Sequence, residues 1–125
     1  MLGEAPAFSG FSVDDTAKAQ AFYGDTLGLD VSEADGMLTL HLAGGRDTLV
    51  YPKGEHHQPA SYTILNFPVP DIEAAVDALA GRGVVFEKYE GTPTATDDKG
   101  IFRGGGPLIA WFTDPAGNVL SVIQE

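Results

Sequence analysis

The chain has 125 residues, 43% of them apolar, and a formal net charge of −11. That size and apolar content suit one compact domain with a buried core, while the acidity disfavours nucleic-acid phosphates and anionic membrane surfaces as partners. There is no cysteine, so disulfides, zinc–thiolate centres, iron–sulfur clusters and cysteine nucleophiles are excluded.

Met1 to Phe8 lacks a basic segment followed by an apolar run, so no signal peptide is expected. No apolar stretch approaches the ~20 residues of a membrane-spanning helix. A cytoplasmic protein is the expectation. Phe8 to Val13 reads as a first strand, and Asp14 and Asp15 are candidate N-caps for the helical pattern that follows. Ala19, Phe22, Tyr23 and Leu27 recur at helical spacing, and Gly28 is a stop signal. Leu29 to Glu33, Met37 to Leu42 and Thr48 to Tyr51 read as strands, with Asp35-Gly36 and Gly44-Gly45 as turns between them. Residues 53 to 60 are polar and read as a linker.

The pattern then restarts. Tyr62 to Val69 is a predicted strand, Asp71 a predicted cap, and Ile72, Ala75, Val76 and Leu79 form a helical stripe. Val84 to Lys88, Leu108 to Thr113 and Val119 to Ile123 are predicted strands, the last two joined by a tight turn at Asp114-Pro115-Ala116-Gly117-Asn118. Tyr89 to Pro107 is the one long irregular stretch, and Tyr89 to Gly106 within it is expected to be a mobile flap. Val13 and Val69 are separated by the same interval as Asp15 and Asp71. The chain therefore reads as two copies of a strand–helix–strand–strand–strand module, at about 7–53 and 61–125.

Two groups of residues invite a chemical reading. His56 and His57 are adjacent in the linker, where successive side chains diverge, so solvated loop histidines are expected rather than chelating ones. Arg103-Gly104-Gly105-Gly106 opens no helix, so a phosphate cradle is not expected, although Arg103 remains available to an anion. No Ser-His-Asp order, paired-carboxylate signature or P-loop stands out.

The doubled element order, with Val13-Asp14-Asp15, Phe22-Tyr23, Leu27-Gly28-Leu29 and the closing Asp114-Pro115-Ala116-Gly117-Asn118, resembles the vicinal oxygen chelate superfamily. That group includes glyoxalase I, bleomycin-resistance proteins, fosfomycin-resistance enzymes and extradiol dioxygenases. The resemblance implies an α+β fold in which two βαβββ modules form a single domain, pairing into a curved eight-stranded mixed sheet around a trough. It also implies a homodimer. Enzymes of the group hold a divalent metal in the trough through His, Gln or Glu side chains. The corresponding positions here are Phe8, five residues before Val13, Ile64, five before Val69, Ser121, seven after Asp114, and Tyr51 or Val50 in the fourth strand. This set offers poor ligands for such a metal, so neither metal nor cofactor is expected.

On the same resemblance Phe8, Gly10, Ser12, Ile64 and Asn66 face the trough, Asn66 as a buried-amide candidate needing hydrogen-bond partners. In the strand Met37 to Leu42 the leucines alternate with Thr39 and His41, which places His41 on the trough side. It is either a ligand contact or base, or a histidine bonded to a neighbour. Trp111, the one tryptophan, either lines the trough or is a core residue. Ile101 and Phe102 are apolar residues of the flap that would cover a ligand. The expected binding set is thus Phe8, Ser12, His41, Tyr51, Ile64, Asn66, Phe102 and Trp111, with no catalytic residue assigned. The reading that results is metal-free binding of a small, partly aromatic organic molecule, as in bleomycin-resistance proteins. The alternatives are a glyoxalase-like or dioxygenase-like enzyme with an unorthodox metal site, and a dimeric domain acting through protein contacts.

Overall fold

A computed structural model describes every residue, Met1–Glu125. The chain divides into two compact units, Met1–Gln58 and Pro59–Glu125. Each holds one four-stranded sheet.

In the first unit β1 is Ser9–Val13, α1 is Thr16–Gln20, β2 is Asp30–Ala34, β3 is Met37–Leu42 and β4 is Arg46–Pro52. The sheet order is β1-β4-β3-β2, with β1 parallel to β4 and the other pairs antiparallel. Asp15, itself extended, caps α1 by accepting the amides of Ala17 at 2.9 Å and Lys18 at 3.2 Å. Such a cap contributes about 1 kcal/mol. The expected helix to Leu27 is α-helical only as far as Gln20 and continues as a π-helix over Ala21–Thr26. The wider turn is marked by the Leu27 amide donating to the Phe22 carbonyl at 2.9 Å. Tyr23, in this turn, is wholly buried, its ring 5.8 Å from Phe11 and 5.2 Å from Phe22. It joins Val13, Ala19, Leu38, Leu40 and Val50 in the core. Asp35 and Gly36 both have positive φ, 55° and 79°, as a two-residue hairpin turn requires.

In the second unit β5 is Thr63–Val69, α2 is Ile72–Ala80, β6 is Ile101–Phe102, β7 is Ile109–Thr113 and β8 is Val119–Gln124. Their order is β5-β8-β7-β6. Pro68 is tolerated in β5 because that strand is an edge. Asp71 caps α2 through the Ala74 amide at 3.1 Å, and Gln124 Oε1 accepts the Ile72 amide at 3.0 Å, tying the helix start to β8. The core comprises Ile72, Val76, Ile101, Ala110, Phe112, Leu120 and Val122. The β7–β8 turn is held from inside by buried Asp114, which accepts the amides of Ala116 and Asn118 at 2.9 Å and the Asn118 side-chain amide at 3.0 Å.

The strand set of the second unit departs from expectation at Val84 to Lys88. Val84 to Lys88 makes no continuous strand. Its alternating burial is real, with Val84 and Phe86 buried and Val85 exposed, but it contributes only an isolated bridge from Phe86 to Phe112 and the Glu87 amide to the Trp111 carbonyl at 2.8 Å. The edge beside β7 goes instead to β6, through Ile101 opposite Ala110 and Phe102 opposite Ile109. The fourth strand thus lies inside the stretch expected to be irregular.

Candidate functional site

The two sheets each present a face turned away from their helix, and most candidate residues lie there. In β7, Ala110 and Phe112 go into the core, so Ile109, Trp111 and Thr113 take the other face. Trp111 is half-buried and donates Nε1–H to Thr63 Oγ1 at 3.2 Å. Two rings flank it, Tyr89 at 5.5 Å and Phe102 at 5.9 Å. Such tilted pairs add favourable quadrupole contacts to apolar burial. Tyr89 reaches its place with φ 48°, an uncommon conformation for a large residue. Burial, with help from Glu87, pushes its phenol pKa up, so the ring presents a neutral hydroxyl.

Phe102 is set beside Trp111 by an anchored segment. Asp97 accepts Arg103 Nε–H and the amides of Lys99 and Ile101, each at 2.9 Å. Arg103 Nη2 also lies 3.6 Å from Glu73 of α2, and Lys99 Nζ lies 3.1 Å from Asp77 of the same helix. Lys88 Nζ donates to the Asp98 carbonyl. Burial alone would raise the Asp97 carboxyl pKa, but the Arg103 hydrogen bond and the two backbone amides outweigh it and hold the pKa below the usual carboxylate range. Arg103 is therefore engaged by carboxylates of its own unit, and Ile101 is a fully buried core residue rather than a ligand cover.

In β5 the register slips between Thr63 and Leu65, leaving Ile64 as the extra residue of a bulge. Thr63 pairs with Val119 and Asn66 with Ser121, two positions apart on β8, so Thr63 shares a face with Asn66. That is why Thr63, and not Ile64, meets the Trp111 ring nitrogen. Asn66 is exposed rather than buried, and its Oδ1 accepts the hydroxyl of wholly buried Ser121 at 2.6 Å.

In the first unit Phe8 precedes β1 and is 71% exposed. Ser12 pairs in register with half-buried Tyr51, and its hydroxyl lies 2.7 Å from His57 Nδ1. His57 is thus folded back onto β1, unlike exposed His56. His41, opposite Asp47 in the β3–β4 register, places Nε2 2.8 Å from Ser32 Oγ and Nδ1 3.1 Å from Asp47 Oδ1. Ser32 was legible in principle. The two-residue turn at Asp35-Gly36 sets Ala34 opposite Met37, hence Ser32 opposite Thr39 and Asp30 opposite His41. Tyr89 and His57 lie in irregular segments with no periodic signal.

A divalent metal of the kind the related enzymes use does not fit these residues. Phe8, Ile64 and Val50 offer only carbon at the corresponding positions, and the Ser121 hydroxyl is spent on Asn66. Tyr51 alone carries a side-chain oxygen not so committed, and no three His, Cys, Asp or Glu side chains converge anywhere.

A family model described as the Glyoxalase/Bleomycin resistance protein/Dioxygenase superfamily matches residues 8–122. No curated protein matches. Among solved structures, TnmS3, an antibiotic binding protein from Streptomyces sp. CB03234, aligns with a TM-score of 0.65 and 24% identity over 97% of each chain. A glyoxalase family protein from Enterococcus faecalis gives a TM-score of 0.69 and 22% identity, covering 98% of this chain and 99% of that one. A glyoxalase/bleomycin resistance protein from Streptomyces sp. CB03234 gives 0.61 and 25%, covering 94% and 100%. The doubled module and the family match over nearly the whole chain lead to one conclusion: this protein belongs to the glyoxalase/bleomycin resistance protein/dioxygenase superfamily, the vicinal oxygen chelate group.

Proposed function

We propose that this protein binds a small, partly aromatic organic molecule without a metal. The observation that carries the reading is the cluster of Tyr89, Phe102 and Trp111 on the helix-free face of the second sheet. Three half-buried rings suit stacking and apolar contact with a ligand ring, and the Tyr89 hydroxyl is a polar tip that can orient it. The donor-poor set at Phe8, Ile64 and Ser121 supports binding over metal-assisted chemistry. The likeness to an antibiotic binding protein agrees with a drug-like ligand, and the net charge of −11 favours a cationic one.

Trp111 is the only tryptophan, so its fluorescence reports on this cluster. Titration with a panel of planar aromatic compounds should give saturable quenching for at least one, and in Phe102→Ala the same titration should shift to higher concentration. Elemental analysis of protein purified without chelator should show far less than one Zn, Ni, Mn or Fe per chain. A near-stoichiometric metal that survives dialysis would favour the enzymatic reading instead.

The binding form is proposed to be a homodimer. Phe8, Tyr62 and Val85 are large exposed apolar residues, and β1, β2, β5 and β6 are sheet edges within their own units. Light scattering at micromolar concentration should give twice the chain mass. No helix is long and apolar enough to cross a membrane.

A further inference from the structure

Ser32, His41 and Asp47 come from three adjacent strands of the first sheet, β2, β3 and β4, and meet on one face. The order of contacts runs Ser32 Oγ to His41 Nε2 at 2.8 Å, then His41 Nδ1 to Asp47 Oδ1 at 3.1 Å. An ionised carboxylate can only accept, so in the neutral ring Nδ1 carries the proton and donates to Asp47. Nε2 is then the acceptor, and the Ser32 hydroxyl must donate to it. This is the polarity a serine nucleophile needs: a base on its proton and a third group holding the base in the correct tautomer. The group is accessible, since Ser32 is exposed and the His41 and Asp47 side chains are 38% and 58% exposed. Thr39, directly opposite Ser32 in the register, brings a further hydroxyl to the same face.

We propose that Ser32 is a nucleophile that takes acyl groups from activated esters, with His41 as its base and Asp47 as the positioning residue. Ser32 Oγ attacks the ester carbonyl while its proton passes to His41 Nε2. The tetrahedral adduct collapses by breaking the bond to the leaving oxygen, which takes that proton and departs as an alcohol or phenol. Water then attacks the Ser32 ester, giving its proton to His41. The carboxylic acid leaves as Ser32 Oγ recovers a proton. No co-reactant beyond water is needed. Because the group is solvent-exposed, the substrate class is esters whose leaving group needs little assistance, aryl esters foremost. The assignment concerns the first unit alone and does not depend on the binding reading.

The test is p-nitrophenyl acetate with the full chain, following phenolate release and locating the acetyl group by peptide mass mapping. The expected result is a single acetyl group on Ser32, absent in Ser32→Ala, with the acylation rate lowered about 100-fold in His41→Ala, near the low end for a general base. Asp47→Asn should lower kcat with KM unchanged, because an amide can donate to Nδ1 and so stabilise the wrong tautomer. A fluorophosphonate probe on the unaltered protein should label the same serine. Acetylation confined to lysines, to tyrosines or to Ser12 would overturn the proposal. So would a Ser32→Ala or His41→Ala variant, shown folded by its unchanged circular dichroism, that reacts as fast as the parent.

Discussion

The carboxylate of Asp97 accepts a hydrogen bond from Arg103 Nε at 2.9 Å, and the pair brackets the two-residue strand β6. The bond adds to the two ladder pairs of β6 and to the Lys99–Asp77 and Arg103–Glu73 contacts that hold Phe102 beside Trp111. The depressed carboxyl pKa of Asp97 makes this a pH-dependent contribution. Its folded value lies below its unfolded one, so the stabilisation is present above the ordinary carboxylate range, around 3.9, and is lost as pH falls through the lower folded value. Asp97→Asn should therefore lower stability at neutral pH by about 1 kcal/mol, a figure kept small because the pair is partly solvated. The gap between variant and parent in urea midpoint should close on acidification. A gap that stayed constant down to pH values where carboxylates are protonated would show that charge is not the cause.

Neighbouring residues of β6 should behave oppositely. Ile101 is fully buried, so Ile101→Ala should cost ~2–5 kcal/mol of folding stability. Phe102 is only half-buried, its ring against Trp111. Phe102→Ala should weaken ligand binding by ~1–2 kcal/mol with a smaller effect on folding. Denaturant curves and fluorescence titrations on the two variants separate the roles. If Phe102→Ala unfolds the protein as Ile101→Ala does, Phe102 is structural.

Gly100 has φ +90°, and a Cβ there would lie 2.5 Å from Phe86 Cβ. Gly100→Ala combines a strained backbone with a clash in the core and should destabilise by more than ~1 kcal/mol. Gly91, also at positive φ but with open space around it, should lose less on the same substitution. Thermal unfolding of both variants makes the comparison, and equal losses would mean that the Phe86 contact relaxes freely.

Ser121→Glu would supply the carboxylate that the related metal enzymes place at this position. Here it would enter a wholly buried site with no cation beside it among the residues named above. The cost should be about 3 kcal/mol or more. Burial would raise the pKa of the new carboxyl, so the variant should be relatively better off at low pH and lose stability as pH rises through that raised value. Unfolding curves at acidic and neutral pH, with and without added divalent metal, check this. Strong recovery by metal would show that the site can still assemble a ligand set.

The sequence by itself determined the doubled module, both helix caps at Asp15 and Asp71, the Asp35-Gly36 turn and the closing turn at Asp114. These are local matters. A carboxylate beside free amides, a pair of positive-φ residues and an alternating apolar pattern act over a few residues, so their signals are written side by side in the chain. The α1 helix shows the limit. Its apolar spacing was legible to Leu27, but the change to a π-helix at Ala21 was not, because it depends on seating Tyr23 in the core against Phe11. The tertiary structure alone decided which segment completes the second sheet. Val84 to Lys88 has the better strand pattern, yet Ile101 and Phe102 take the edge of β7, where Lys99 and Arg103 fasten that segment to α2 and Asp97 holds it together from within. It also decided that a bulge at Ile64 hands the Trp111 nitrogen to Thr63. Each of these depends on register between strands distant in the chain, and a one-residue slip turns every side chain to the other face. Periodicity within a strand carries no information about that slip.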